Sequence, residues 1–340
     1  MSPPGRPKGE YRSAQHGGYP ANPLAGRRVW VAGHRGMVGS AVVRRLADED
    51  IELLTVDRRT LDLRDAAAVD AWVVRHRPEV IVLAAAKVGG IRANARAPAD
   101  FLFDNLAIQQ AVIGAAARAR VARLLMLGSS CIYPKHAPQP IEAAQLLAGP
   151  LEPTNQWYAV AKIAGIKLAE AFREQHGLDF ISAIPASLYG PGDNFDLDGG
   201  HVIPALMRKA HEARQAEQSE IAVWGTGTPL REFLHVDDLA DALVFLLEHY
   251  SAAAPINVGS GDEISIRQLA EAICATVGFD GRLRFDPSSP DGTPRKVTDS
   301  APLNALGWRP RIGLAEGLAG AYRWYLDHVA RPLQRETLQT

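Results

Sequence analysis

The chain reads as an α/β protein, a doubly wound parallel (Rossmann) sheet carrying a smaller C-terminal lid, and three features of the sequence predict it. Short apolar runs alternate with longer helix-like segments. A glycine-spaced turn, GHRGMVG, separates the first run from the first helix. Further on, Tyr158 and Lys162 stand one helical turn apart in NQWYAVAKIAGIKLAE, on one face of a helix.

Each element follows in order. Residues 1–26 are rich in Pro, Gly and polar residues and have no apolar stretch that could serve in secretion, which predicts a disordered extension. From Arg27 the pattern is RRVWVAG then MVGSAVVRRLADED, IELLTV then DAAAVDAWVVRHR, EVIVLAAA then PADFLFDNLAIQQAVIGAAARAR, RLLMLGSS, and later DFISAIPA. REFLHVDDLADALVFLLEHY followed by PINVGSG reads as helix then strand returning to the sheet. The expected division is a dinucleotide-binding domain over 27–187 and 231–260, a substrate-binding domain over 188–230 and 261–330, and a tail over 331–340.

With 340 residues the chain can bury a large core, and its formal net charge of -1 gives no general attraction for nucleic acid or anionic membrane. No apolar run is long enough to span a bilayer. Two cysteines, Cys131 and Cys274, suit a reducing cytoplasm rather than a disulfide framework.

In such a sheet, ligands bind beyond the carboxyl ends of the strands. Gly33, Gly36 and Gly39, with His34, Arg35, Met37 and Val38 between them, let backbone N–H groups approach a pyrophosphate at a helix terminus. After the second strand, Asp57 argues for NAD, whereas Arg58, Arg59 and Arg35 offer bidentate partners for the 2′-phosphate of NADP; the balance leans to NADP. Asp62 and Leu63 can contact the adenine, although Asp62 can equally be a turn or helix cap. Ala84, Ala85, Ala86 and Lys87 after the third strand, and Leu127, Gly128, Ser129 and Ser130 after the fourth, fall at the same edge. A tyrosine has a pKa near ~10, and the Lys162 ammonium is expected to lower that of Tyr158 towards the range useful for proton transfer beside a carbonyl.

At AGHRGMVGSA, LAAAKVGGI, LGSSCIYP, YAVAKIAGIKL, LYGPGDNF, HVIPALMRK, VWGTGTPLREFLHVDD and PDGTPRK the chain resembles the GDP-L-fucose synthases. These are GDP-4-keto-6-deoxy-D-mannose epimerase/reductases of the extended short-chain dehydrogenase/reductase family. The resemblance implies an NADPH-dependent enzyme that inverts C3 and C5 of a GDP-sugar beside a 4-keto group and then reduces that ketone. It carries a base role to Cys131, an acid role to His201, and a reductase triad to Ser129, Tyr158 and Lys162. It also brings Pro185, Ala186, Ser187, Leu188 and His201 to the cofactor, and Lys209, Trp224, Arg231 and Asp291, with Arg295 behind them, to the substrate. Lys209 stands where arginine is frequent in such enzymes, and Ser187 where asparagine is common. No metal enters this scheme. A lone cysteine after a strand is usually core; the match at SSCIYP sets Cys131 apart, while Cys274 keeps the core reading.

Two other readings compete. One is a simple 4-epimerase or a 4,6-dehydratase of the same fold, the latter disfavoured because Ser130 and Cys131 stand where dehydratases place an Asp-Glu pair. The other is a non-catalytic dinucleotide-binding sensor, which would not need the full residue set. The helices holding Phe101 to Arg118 and Tyr158 to Ala171 are apolar on more than one face, which predicts a homodimer through four helices.

Overall fold

The computed structural model describes residues 23–197, 199–289 and 291–331. Most of the expected N-terminal extension, residues 1–22, and the tail from residue 332 lie outside the described residues. The first half of the chain runs β1 (Arg28–Ala32), α1 (Met37–Leu46), β2 (Glu52–Leu54), α2 (Ala66–His76), β3 (Val80–Leu83), α3 (Ile91–Arg96), α4 (Pro98–Arg118), β4 (Arg123–Leu127), α5 (Gln156–His176) and β5 (Phe180–Pro185). The second half runs β6 (Ser187–Tyr189), α6 (Val202–Gln215), β7 (Glu220–Trp224), β8 (Leu230–His235), α7 (Val236–His249), β9 (Ile256–Val258), β10 (Glu263–Ser265), α8 (Ile266–Val277), β11 (Arg282–Asp286), β12 (Arg295–Lys296), α9 (Ala301–Ala305) and α10 (Leu314–Tyr325).

Six strands form the main sheet in the order β2-β1-β3-β4-β5-β9, and every pairing is parallel. A parallel sheet needs cover on both faces, and side chains alternate along each strand to supply it. Val29 and Val31 of β1 join the layer under α1 and α7, with Leu239, Leu243 and Leu246. Trp30 and Ala32 join the opposite layer under α2, α4 and α5, with Val69, Val112 and Ile166. The chain leaves β1 in one direction to reach β2 and in the other to reach β3, so a crevice opens between the carboxyl ends of β1 and β3.

A second core, around Tyr189, Met207, Leu269, Ile273, Leu318 and Tyr325, belongs to the C-terminal part. There β10, β8 and β12 form a small sheet in which β6 also pairs with β8, while β11 pairs with β7. Cys274 is buried in this core.

Two sequence expectations change. Leu24, placed in the extension by its polar neighbours, is 1% exposed and packs in the first core layer, so order begins before Arg27. REFLH, read as the start of a helix, is β8 of the small sheet. The helical segment begins only at Val236, because the His235 ring nitrogen accepts from the Asp237 N–H and caps α7. Among the described residues, no helix is long and apolar enough to cross a membrane.

Candidate active site

The crevice between β1 and β3 is shaped for a dinucleotide. Gly33 has φ +94°, and a Cβ there would stand 2.6 Å from the Ala85 backbone nitrogen, so only glycine lets this turn lie against the strand end carrying Ala84, Ala85 and Ala86. His34 and Arg35 complete the turn, and Gly36 is the N-cap of α1 with no side chain bonded to the first helical turn, which Met37, Val38 and Gly39 form. The backbone N–H groups there suit a pyrophosphate. The conflict after β2 has a local outcome. Asp57 is ion-paired with Arg35 and accepts a 2.9 Å bond from the Arg59 N–H, which together hold its carboxyl below the ordinary range. Arg58 beside it is exposed.

Other predicted cofactor residues are committed elsewhere. The Asp62 carboxylate is bound by the Arg64 guanidinium at 2.6 Å, which brings its pKa down to about 2, and Asp65 rather than Asp62 caps α2. Leu63 packs against the second core layer. The Lys87 ammonium pairs with Asp100 and Asp104 at 3.0 and 3.1 Å, on α4. At the far side of the crevice, Pro185 ends β5, the Ala186 N–H donates to the Val258 carbonyl at 2.9 Å, and Ser187 and Leu188 open β6.

The chemistry-bearing groups meet where β4 ends. Leu127 and Gly128 lead into a 3₁₀ turn, Ser130–Ile132, capped by the Ser129 side chain. The Cys131 Sγ donates to Ser129 Oγ at 3.1 Å, and the same Ser129 hydroxyl faces the Tyr158 phenol. One turn along α5, Lys162 is 2% exposed, its Nζ donates to the Leu127 carbonyl at 2.9 Å, and it lies 5.8 Å from the Tyr158 ring centroid. Enclosure lowers the Lys162 pKa to about 8.

The expected lowering of Tyr158 by Lys162 does not appear. Burial, reinforced by the Cys131 charge, holds the phenol well above the usual tyrosine range, with only the Ser129 hydroxyl opposing; the Lys162 ammonium is turned to a backbone carbonyl. Burial also pushes the Cys131 thiol up, against the charges of Lys296 and Lys162 and the Ser129 hydrogen bond. His201, the N-cap of α6, is surrounded by protein yet reached by water; that crowding and the Lys296 charge lower its pKa.

Lys296 is the group that sequence reasoning missed. On β12 side chains alternate, so Arg295 points out to pair with Glu263 at 2.7 Å while Lys296 points in, where it lines a cavity with Ser130, Cys131, Glu152 and Asn155. The alternation within PDGTPRK was the available signal. Asn155 Oδ1 is buried in this cavity without a hydrogen-bond partner.

The predicted substrate residues cluster on the lid. Trp224 at the end of β7 is 38% exposed, and Lys209 of α6 places its ammonium 4.9 Å from the indole centroid. Asp291 accepts from the Thr226 N–H and hydroxyl at 2.8 and 2.9 Å, and its carbonyl accepts from Arg231 at 3.2 Å. Arg231 on β8 is in register with Lys296 on β12, which joins this cluster to the one around Cys131. Arg295, committed to Glu263, does not join it.

This geometry coincides with a family match: residues 29–259 fit the NAD dependent epimerase/dehydratase family. The chain is 55% identical to the GDP-L-fucose synthase of Sinorhizobium fredii over 307 residues, 90% of this chain and 98% of that relative. The chain belongs to the GDP-L-fucose synthase branch of that family. The Escherichia coli GDP-L-fucose synthase is 49% identical, covering 91% of this chain and 99% of the relative. Among solved structures, a GDP-L-fucose synthetase from Naegleria fowleri bound to NADP matches with a TM-score of 0.84 at 28% identity, over 92% of this chain and 98% of that one. The α/β class and the parallel central sheet agree with this family.

Proposed function

We propose that this chain is an NADPH-dependent epimerase/reductase that converts GDP-4-keto-6-deoxy-D-mannose to GDP-L-fucose, inverting C3 and C5 before reducing C4. The observation that carries the reading is the 3.1 Å contact between Cys131 Sγ and Ser129 Oγ, which puts a thiol beside the hydroxyl–phenol pair of a ketone reductase. A 4-keto group acidifies the C–H bonds on both neighbouring carbons, and inversion needs removal of a proton on one face and delivery on the other. Cys131 takes that proton and His201 returns one. The raised thiol and the lowered imidazole make the neutral pair the resting form; thiolate with imidazolium holds the same number of protons, so its population is independent of pH between the two pKa values. Lys296 and Lys162 stabilise the thiolate.

Ser129 donates to the C4 oxygen and steadies the enolate of each inversion. A bound NADPH would supply the hydride for C4. Tyr158, held in its protonated form by enclosure, gives its proton to the C4 oxygen. Lys162 orients the nicotinamide ribose. Arg35, Arg58 and Arg59 take the 2′-phosphate. Mixing the protein with the keto-sugar and NADPH tests this: consumption of NADPH with appearance of GDP-L-fucose by NMR is the expected result, and reduction without inversion at C3 and C5 contradicts it.

We also place the enzyme in the cytoplasm, where its two free thiols stay reduced, and assign it a homodimer through α4 and α5. Phe103 on α4 is 71% exposed, and Trp157 and Val160 on the neighbouring α5 are 43% and 41% exposed, an apolar surface that a second copy would cover. Light scattering is expected to give twice the 36.7 kDa chain mass for the wild type and the chain mass for Phe103→Glu; a monomeric wild type contradicts the assignment.

A further inference from the structure

We propose that Arg92, on the short helix α3 of the dinucleotide-binding half, is a binding residue for the substrate diphosphate, closing the lid cleft from the opposite side. Its guanidinium lies 4.0 Å from the centroid of Trp224, the indole that Lys209 also approaches. Two cations from different parts of the chain thus converge on one exposed aromatic, and their combined positive charge favours an anion at this place. Burial and then the nearby Arg92 charge lower the Lys209 pKa.

The placement of α3 is fixed by the fold. The Gly90 N–H donates to the Gly199 carbonyl at 2.9 Å, and a Cβ on Gly90 would stand 2.7 Å from the Gly200 carbonyl oxygen. Asn94, buried, ties the helix back through bonds of 2.8 and 3.1 Å to the Gly89 and Gly90 carbonyls. The helix that carries Arg92 is therefore locked to the loop preceding His201, and a diphosphate held by Arg92 is set at a fixed distance from the catalytic imidazole. Lys209 is a point charge with no fixed donor geometry. The planar Arg92 guanidinium instead presents a fixed fork of N–H donors, the arrangement that takes two phosphate oxygens.

This inference rests on the reading of the lid as a GDP-sugar site. Calorimetric titration of GDP and of guanosine into the NADP-loaded protein separates the two. Arg92→Ala is expected to weaken GDP binding on the order of tenfold to a hundredfold, Arg92→Lys to recover part of it, and guanosine and NADP affinity to stay unchanged. GDP binding within about twofold of wild type in Arg92→Ala overturns the assignment, as does an equal loss for guanosine, which would make the contact one to the base. A wild-type protein that does not bind GDP overturns the site reading and this proposal together.

Discussion

The two walls of the cleft are built on opposite principles. On the sheet side, Ser129, Cys131, Tyr158 and Lys162 sit at the end of a buried strand and on a helix packed against it, with pKa values displaced by enclosure. On the lid side, Trp224, Arg231 and Asp291 sit at strand ends and in turns, Lys209 reaches in from α6 and Arg92 from α3, and solvent reaches the aromatic they share. The proton-moving roles proposed for the sheet side fall to groups whose protonation is displaced by enclosure, with His201 facing them from the exposed start of α6, whereas the groups proposed to recognise a charged nucleotide are half-buried to exposed, where it can arrive.

If that division is right, substitutions on the two walls fail differently. The largest effect is expected for Tyr158→Phe, which removes the proton donor and should slow ketone reduction by ~10²–10⁴-fold while leaving NADPH binding, measured by fluorescence, intact. Next is Lys296→Gln. The Lys296 charge lowers the pKa of both Cys131 and His201, so its loss raises both, and both limbs of the pH profile for proton exchange should move to higher pH together. A uniform loss of activity with an unmoved profile would make Lys296 structural. The smallest effect is expected for Lys209→Arg on the open wall: KM for the GDP-sugar changes by no more than about tenfold while kcat holds, because both residues are cations and only donor geometry differs.

The same division decides what the sequence reveals. Local spacing exposes the sheet-side wall: the glycine turn, the Ser129–Cys131 pair at a strand end and the Tyr158–Lys162 turn are each contained in one short segment. Continuous apolar runs likewise mark β1, β3, β4 and β5, which are buried on both faces. Arg92 and Lys296 escape such reading. One lies on a six-residue helix and the other on a two-residue strand, and their places in the cleft come from tertiary packing. The effect of Lys162 on Tyr158 escapes for a related reason: spacing puts the two on one helix face, but burial of the phenol, which only the fold creates, outweighs the neighbouring charge. Leu24 shows the limit of composition, because one apolar side chain in a polar stretch is enough to tie a segment down.

The account depends on one cleft carrying two separable chemistries. Deuterium uptake from solvent at C3 and C5 of the keto-sugar, followed by NMR with NADP+ in place of NADPH, isolates the first. Tyr158→Phe should exchange both positions while Cys131→Ser exchanges neither; exchange at the wild-type rate in Cys131→Ser would contradict the role given to the thiol.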